Sequence, residues 1–174
     1  MSYIPYGVTL TLVPDLSQSL GIQNKGSFFI YLTLASLFTR FVAGKLADKR
    51  GRVWLFQIAM AVLVVAMLLM SVASSPWLLA IAAMVYGLAS GLISPASSSW
   101  TAELSHPKHR GRAMATMFIA LEVGIGSGAV LSGWAYADQI ERIRWLFAGA
   151  ALTSLVGLIY LLAYERAAYI ASRT

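Results

Sequence analysis

The sequence predicts an all-α polytopic membrane protein with six spanning helices, and three observations carry that prediction. The 174-residue chain is 59% hydrophobic and 11% charged, with a mean hydropathy of +0.72, whereas a soluble domain is about 45–50% apolar. Its apolar residues fall in runs close to the roughly 20 residues that a helix needs to cross hydrocarbon at a rise of about 1.5 Å each. Its charges collect between those runs. A soluble bundle would need a polar stripe on every helix, yet Gln57 is the only strongly polar side chain from Val53 to Val72.

The spans are expected at 3–20, 27–47, 53–72, 77–98, 112–136 and 143–164, forming a single domain over 1–174. The first is the poorest, broken by Pro14 and Asp15 and starting almost at Met1, so it reads as a truncated helix. Arg40, Lys45, Lys49, Arg50, Arg52, Lys108, Arg110, Arg112, Arg166 and Arg173 fall on one side of the membrane, and Lys25, Arg142 and Arg144 on the other. By the positive-inside rule the first side, with both termini, is cytoplasmic, in a plasma or inner membrane. Trp54, Trp77, Trp100, Trp134 and Trp145 lie near span ends, where an aromatic belt belongs.

The net charge of +6 is spread over turns rather than gathered on one face, which argues against a nucleic-acid partner. The chain has no cysteine, so it holds no disulfide and no Cys-ligated metal. It also lacks the basic n-region of a cleavable signal peptide. No nucleophile, base and oxyanion constellation points to an enzyme.

The stretch Arg40 to Arg52, R-F-V-A-G-K-L-A-D-K-R-G-R, has five basic residues among thirteen and is expected to be a short turn at the membrane surface. Gly44 would let helices approach, Gly51 would take a positive φ, and Asp48 would pair with Arg40 or Arg52. Glu122 is the only acidic residue deep in a span, some 15 Å from the cytoplasmic end, where a carboxylate is costly unless it faces a cavity, a partner or a proton path. Its two readings are a proton-coupling or substrate-contacting group, and a buried hydrogen bond to another helix.

Gly124, Gly126, Gly128 and Gly133 lie in the same apolar span without a preceding strand, which suits close helix packing rather than a phosphate loop. In the fourth span Tyr86, Ser90, Ser94, Ser97 and Thr101 form a polar stripe beside a small one of Gly87, Gly91 and Pro95. The polar stripe could line a substrate path or make interhelical hydrogen bonds. Tyr3, Tyr6, Thr9 and Thr11 are weaker candidates of the same kind. His106, His109 and Glu103 share a loop, but the cations beside them oppose a metal ion.

Gly44-Lys-Leu-Ala-Asp48-Lys-Arg50-Gly51-Arg52, preceded by Arg40, resembles the loop signature G-x-L-A-D-R-x-G-R-R of major facilitator superfamily transporters. Lys49 for Arg and Val53 for a second basic residue are departures. Pro107-Lys-His-Arg110-Gly111-Arg112-Ala113, with Phe118, Glu122 and the glycines after it, looks like the entry to the fifth span of the second half in sugar-efflux and multidrug-efflux members. The resemblance implies the C-terminal six-helix half of the fold, a 3+3 inverted repeat. It further implies that Arg40, Gly44, Asp48, Arg50, Gly51 and Arg52 form a gating latch.

On that basis the expected function is proton-coupled efflux of a small organic solute, with a proton gradient in place of any cofactor. The expected partners are the lipid bilayer, the solute, and either a missing N-terminal half or a second copy in a homodimer. The alternative is a non-transporting fragment or a six-helix membrane interaction module.

Overall fold

The computed structural model describes residues 2–171, with the side chains of residues 44–49 and 167–171 outside the description. The chain forms α1 (Ile4–Ser19), α2 (Ser27–Arg50), α3 (Arg52–Ser71), α4 (Pro76–Leu104), α5 (Arg110–Tyr136) and α6 (Ile140–Ala171), with a 3-10 turn at Pro107–His109 before α5. Among the described residues there are no strands. Four segments, Arg52–Ser71, Pro76–Leu104, Pro107–Tyr136 and Ile140–Arg166, are long and apolar enough to cross a membrane. α1 has 16 residues, and the apolar part of α2, Ser27–Ala43, is also short. The six expected spans thus appear as six helices, of which four meet the spanning ruler.

Local chemistry sets the helix ends. Ser75 caps α4 by accepting the Leu78 N–H at 3.3 Å, with Pro76 in the first turn, where its missing N–H costs nothing. Between α5 and α6 the chain turns through left-handed Ala137 and Asp138 (φ 44° and 56°).

The largest departure from expectation is at Arg40 to Arg52. This stretch is not a loop: α2 runs unbroken to Arg50 and α3 starts at Arg52, so Gly51 alone makes the turn, at φ +88°. A single residue can reverse the chain here because glycine takes that φ without a β-carbon clash. Arg40 therefore lies within a helix, eleven residues and roughly 16 Å before the turn residue Gly51, and not in the turn. It is also two helical turns, about 12 Å, from the Asp48 backbone, which disfavours the expected Arg40–Asp48 pair.

The packing has an internal pairing. α5 lies along α1 as α2 lies along α4, α6 contacts α1 as α3 contacts α4, and α3 packs on α6. Exchanging α1 with α4, α2 with α5 and α3 with α6 leaves this pattern unchanged, as the packing of a 3+3 arrangement should.

Glycine makes both outer seams. Gly7 lies so near the Ile125 carbonyl and Gly128 so near the Ile4 carbonyl that a β-carbon at either would overlap the facing backbone. Gly87 sits against the Leu32 carbonyl in the same way, and Gly91 against that of Ser36. In lipid, where burying apolar side chains brings no gain over the solvent, this close backbone approach is what holds helices together.

Between the seams a continuous core includes Leu12, Val13, Leu63, Met67, Tyr86 and Phe147. Gln57, the polar residue of α3, is buried and donates to the Glu165 carboxylate at 2.7 Å and the Leu161 carbonyl at 3.4 Å, tying α3 to α6.

Candidate functional site

The face of α2 that carries Thr33, Ser36, Leu37 and Arg40 repeats at three and four residues, so these side chains share one side of the helix. Opposite them, α4 presents Tyr86, Ser90, Ile93 and Ser94, and the start of α1 presents Ser2, Tyr3 and Tyr6. Together they enclose a cavity of about 330 Å³, with Leu32 and Leu63 completing its wall. The glycine seam between α2 and α4 holds two of its walls together, and hydroxyls and one guanidinium are among its lining groups. Arg40 is the only formally charged group among the described residues that line it.

The aromatic wall is ordered by contacts inside the chain. The Tyr6 and Tyr86 rings stack at 6.5 Å between centroids and 25° between planes. Each precedes a seam glycine, Gly7 or Gly87, so the same Tyr-Gly pair sits at the same place in α1 and α4. The Ser97 hydroxyl donates to the Ser94 carbonyl at 3.1 Å and accepts from the Tyr3 hydroxyl at 3.1 Å, fixing Tyr3 at the mouth.

Of the expected cavity stripe, Tyr6, Tyr86, Ser90 and Ser94 line the cavity; Ser97 does not, because its hydroxyl is spent behind the wall on Tyr3 and Ser94. Thr9 and Thr11 are likewise turned to their own helix, donating to the Pro5 carbonyl at 2.8 Å and the Gly7 carbonyl at 3.1 Å. Thr33, Ser36 and Arg40 were not expected there. Their helical spacing signalled a shared face, but placing Arg40 in a surface turn hid it.

The latch residues separate. Arg40 belongs to the cavity. Arg50 stacks its guanidinium over the Trp54 ring at 4.9 Å, and Arg52 pairs with Glu103 at 3.0 Å and donates to the Ser99 carbonyl at 3.3 Å, joining the start of α3 to the end of α4. Gly44 and Asp48 lie on the helical backbone of α2, with their side chains outside the described residues.

Glu122 is exposed on α5, about a third of a turn around from Gly128 and roughly 18 Å from Arg110. It does not line the cavity, and among the described residues it has no hydrogen-bond partner on another helix. The expected glycine stripe is also divided. Gly124 and Gly128 face α1, whereas Gly126 has nothing near it and Gly133 only the Thr11 methyl at 3.7 Å, so the last two are not close-packing positions. Two residues along a helix is more than half a turn, which puts Gly126 on the uncovered side.

The tryptophans divide as well. Trp77, Trp134 and Trp145 are exposed as belt residues would be, while Trp100 packs between Phe56 and Tyr164. In the 105–109 connection, His106 accepts the Lys108 N–H through Nδ1 at 3.2 Å, and its ring stands 5.8 Å from that of His109.

Among solved structures, 13 chains match this one. The human organic anion transporter MFSD10 (TETRAN) aligns with a TM-score of 0.71 at 18% identity, covering 92% of this chain and 44% of that one. The chain thus spans less than half the length of that transporter, and at this identity the likeness is one of fold. No curated protein matches the chain. The profile of the Major Facilitator Superfamily matches residues 1–172, nearly the whole sequence, and the chain therefore belongs to that superfamily of membrane transporters.

Proposed function

We propose that the chain is the C-terminal half of a secondary transporter for small organic solutes, acting as a proton-coupled exporter. The observation that carries this reading is the polar cavity between α1, α2 and α4, roofed by stacked tyrosines and holding a mid-helix arginine within an otherwise apolar bundle. Charged groups at that depth are expensive and mark solute or ion pathways. Transporters of this architecture bind at the interface of two repeats and rock one against the other, so the open side of the cavity is where the second half would close. That half is either an N-terminal six-helix unit or a second copy of this chain.

In this reading all six helices cross the bilayer, and the two short ones are completed by packing against their neighbours. Both termini are cytoplasmic. Moving Arg40 from the turn into the span leaves nine cations (the ten counted above less Arg40) against Lys25, Arg142 and Arg144, so the orientation argument survives. Glu122 is the coupling group, an ionisable side chain at mid-depth on the uncovered face of α5.

The test is solute-driven proton movement in proteoliposomes carrying a lumenal pH dye, challenged with a panel of small organic solutes. A subset of solutes is expected to change lumenal pH, and Glu122→Gln to abolish the change while leaving solute binding in place. Wild-type proton flux in Glu122→Gln would remove the coupling role. If no solute moves protons or is itself transported, and crosslinking in membranes finds only monomers, the half-transporter reading falls.

A further inference from the structure

Resting on the transport reading, we infer that the solute is an organic anion with a flat apolar body, and that Arg40 binds its charged group while the tyrosine wall takes the body. Arg40 projects into the cavity from the middle of α2, and no other formally charged group among the described lining residues accompanies it. The Thr33, Ser36 and Ser94 hydroxyls around it can each donate to an anion, the Ser90 hydroxyl being given to the Gly87 carbonyl at 3.1 Å, and the guanidinium only donates. A cationic solute would find no countercharge on this wall.

A carboxylate or sulfonate would instead gain a charge-assisted, two-pronged pairing with the planar guanidinium fork. The remaining wall is aromatic and aliphatic. Tyr3 and Tyr6 are half-buried, with Tyr3 held by Ser97 and Tyr6 stacked on Tyr86, so they offer ring faces already fixed in place. Rings with few rotatable bonds bind flat apolar groups at small entropic cost. A volume of about 330 Å³ admits a body of one or two rings.

The experiment uses the full chain in lipid nanodiscs and three probes that share one ring system and differ in charge: 2-naphthoate, 2-naphthamide and 2-naphthylmethylammonium. Equilibrium dialysis measures each, and Ser94→Trp, which fills the cavity, sets the baseline for partition into lipid. Naphthoate is expected to bind about tenfold or more tightly than the amide, and the ammonium not to exceed the Ser94→Trp baseline. Arg40→Gln should erase the preference for naphthoate over naphthamide, Arg40→Lys should keep part of it, and Tyr6→Leu should weaken both probes alike.

Equal binding of the three probes, preference for the ammonium, or a naphthoate preference that survives in Arg40→Gln would overturn the anion assignment while leaving a solute-binding cavity in place. Binding of no probe above the baseline would remove the assignment and the cavity's binding role together. If Arg40→Gln fails to fold, Arg40→Lys alone decides, since a point charge should discriminate less well than the planar fork; an unchanged preference in that variant would overturn the assignment.

Discussion

α2 and α5 occupy equivalent places in the two three-helix sets, yet their mid-depth charges have different surroundings. Each is held along one seam, α2 against Gly87 and Gly91 of α4, α5 against Gly7 and the Ile4 backbone of α1. Each leaves a broad apolar face bare, with Leu34, Phe38 and Phe41 on α2 and Ile119, Val123 and Val130 on α5. Arg40 lines a cavity built by this chain, so its near neighbours come from these helices although it keeps an exposed side. Glu122 turns onto the bare side of α5. Two charges at comparable places along equivalent helices can thus have neighbours supplied by this chain or none among its described residues. Arg40 is the group whose chemistry can be tested in isolation.

The seams give the largest expected effect on that comparison. Gly87→Leu would drive a side chain into the Leu32 carbonyl and displace α2, carrying Arg40 out of the cavity, whereas Gly126→Leu would meet open space. Thermal unfolding of the purified protein in detergent should show a loss of about 3 kcal/mol or more for Gly87→Leu, at the upper end of overpacking costs. Gly126→Leu should stay within about 0.5 kcal/mol. Equal losses would mean that the seams do not hold the two helices.

The buried tie between α3 and α6 comes next. Gln57→Leu removes the donor to the Glu165 carboxylate and the Leu161 carbonyl, and is expected to cost about 0.5–1.5 kcal/mol, the net worth of such a bond, since the Glu165 carboxylate is exposed. Gln57→Glu should be worse, since it sets two carboxylates against each other. The same unfolding measurement ranks the two.

The smallest effect belongs to the remnant of the expected latch. Arg52 and Glu103 are both more than a third exposed, at 41% and 59%, so a double-mutant cycle on Arg52→Ala and Glu103→Ala should return about 0–1 kcal/mol of coupling, weaker still at high salt. A coupling above about 2 kcal/mol would show that this pair is desolvated and ties α3 to α4 more firmly than its exposure suggests.

The membrane class, the number of helices and most of their limits were legible in the sequence because they follow from one-dimensional quantities: run length, hydropathy and the placement of charge. Helical spacing also found four of the cavity residues, Tyr6, Tyr86, Ser90 and Ser94, and the packing role of Gly124 and Gly128. It failed where a residue's depth depended on how far a helix continues. The five cations of Arg40 to Arg52 read as a surface turn, but helix α2 absorbs the first four and needs only Gly51 to reverse the chain.

Composition and pattern alone thus determined that these residues form apolar helices with most of their charge gathered towards the helix ends, since water excludes long apolar runs and hydrocarbon excludes clustered charge. Only the tertiary structure decided which polar groups meet. Ser97 and Ser94 share a helix and a stripe, yet one is bonded behind the wall and the other faces the cavity. Tyr6 and Tyr86, 80 residues apart, stack because the fold sets the start of α1 across the cavity from α4. Such encounters depend on the distance between helix axes, which is set by where backbone can touch backbone, and hydropathy along a chain contains no record of it.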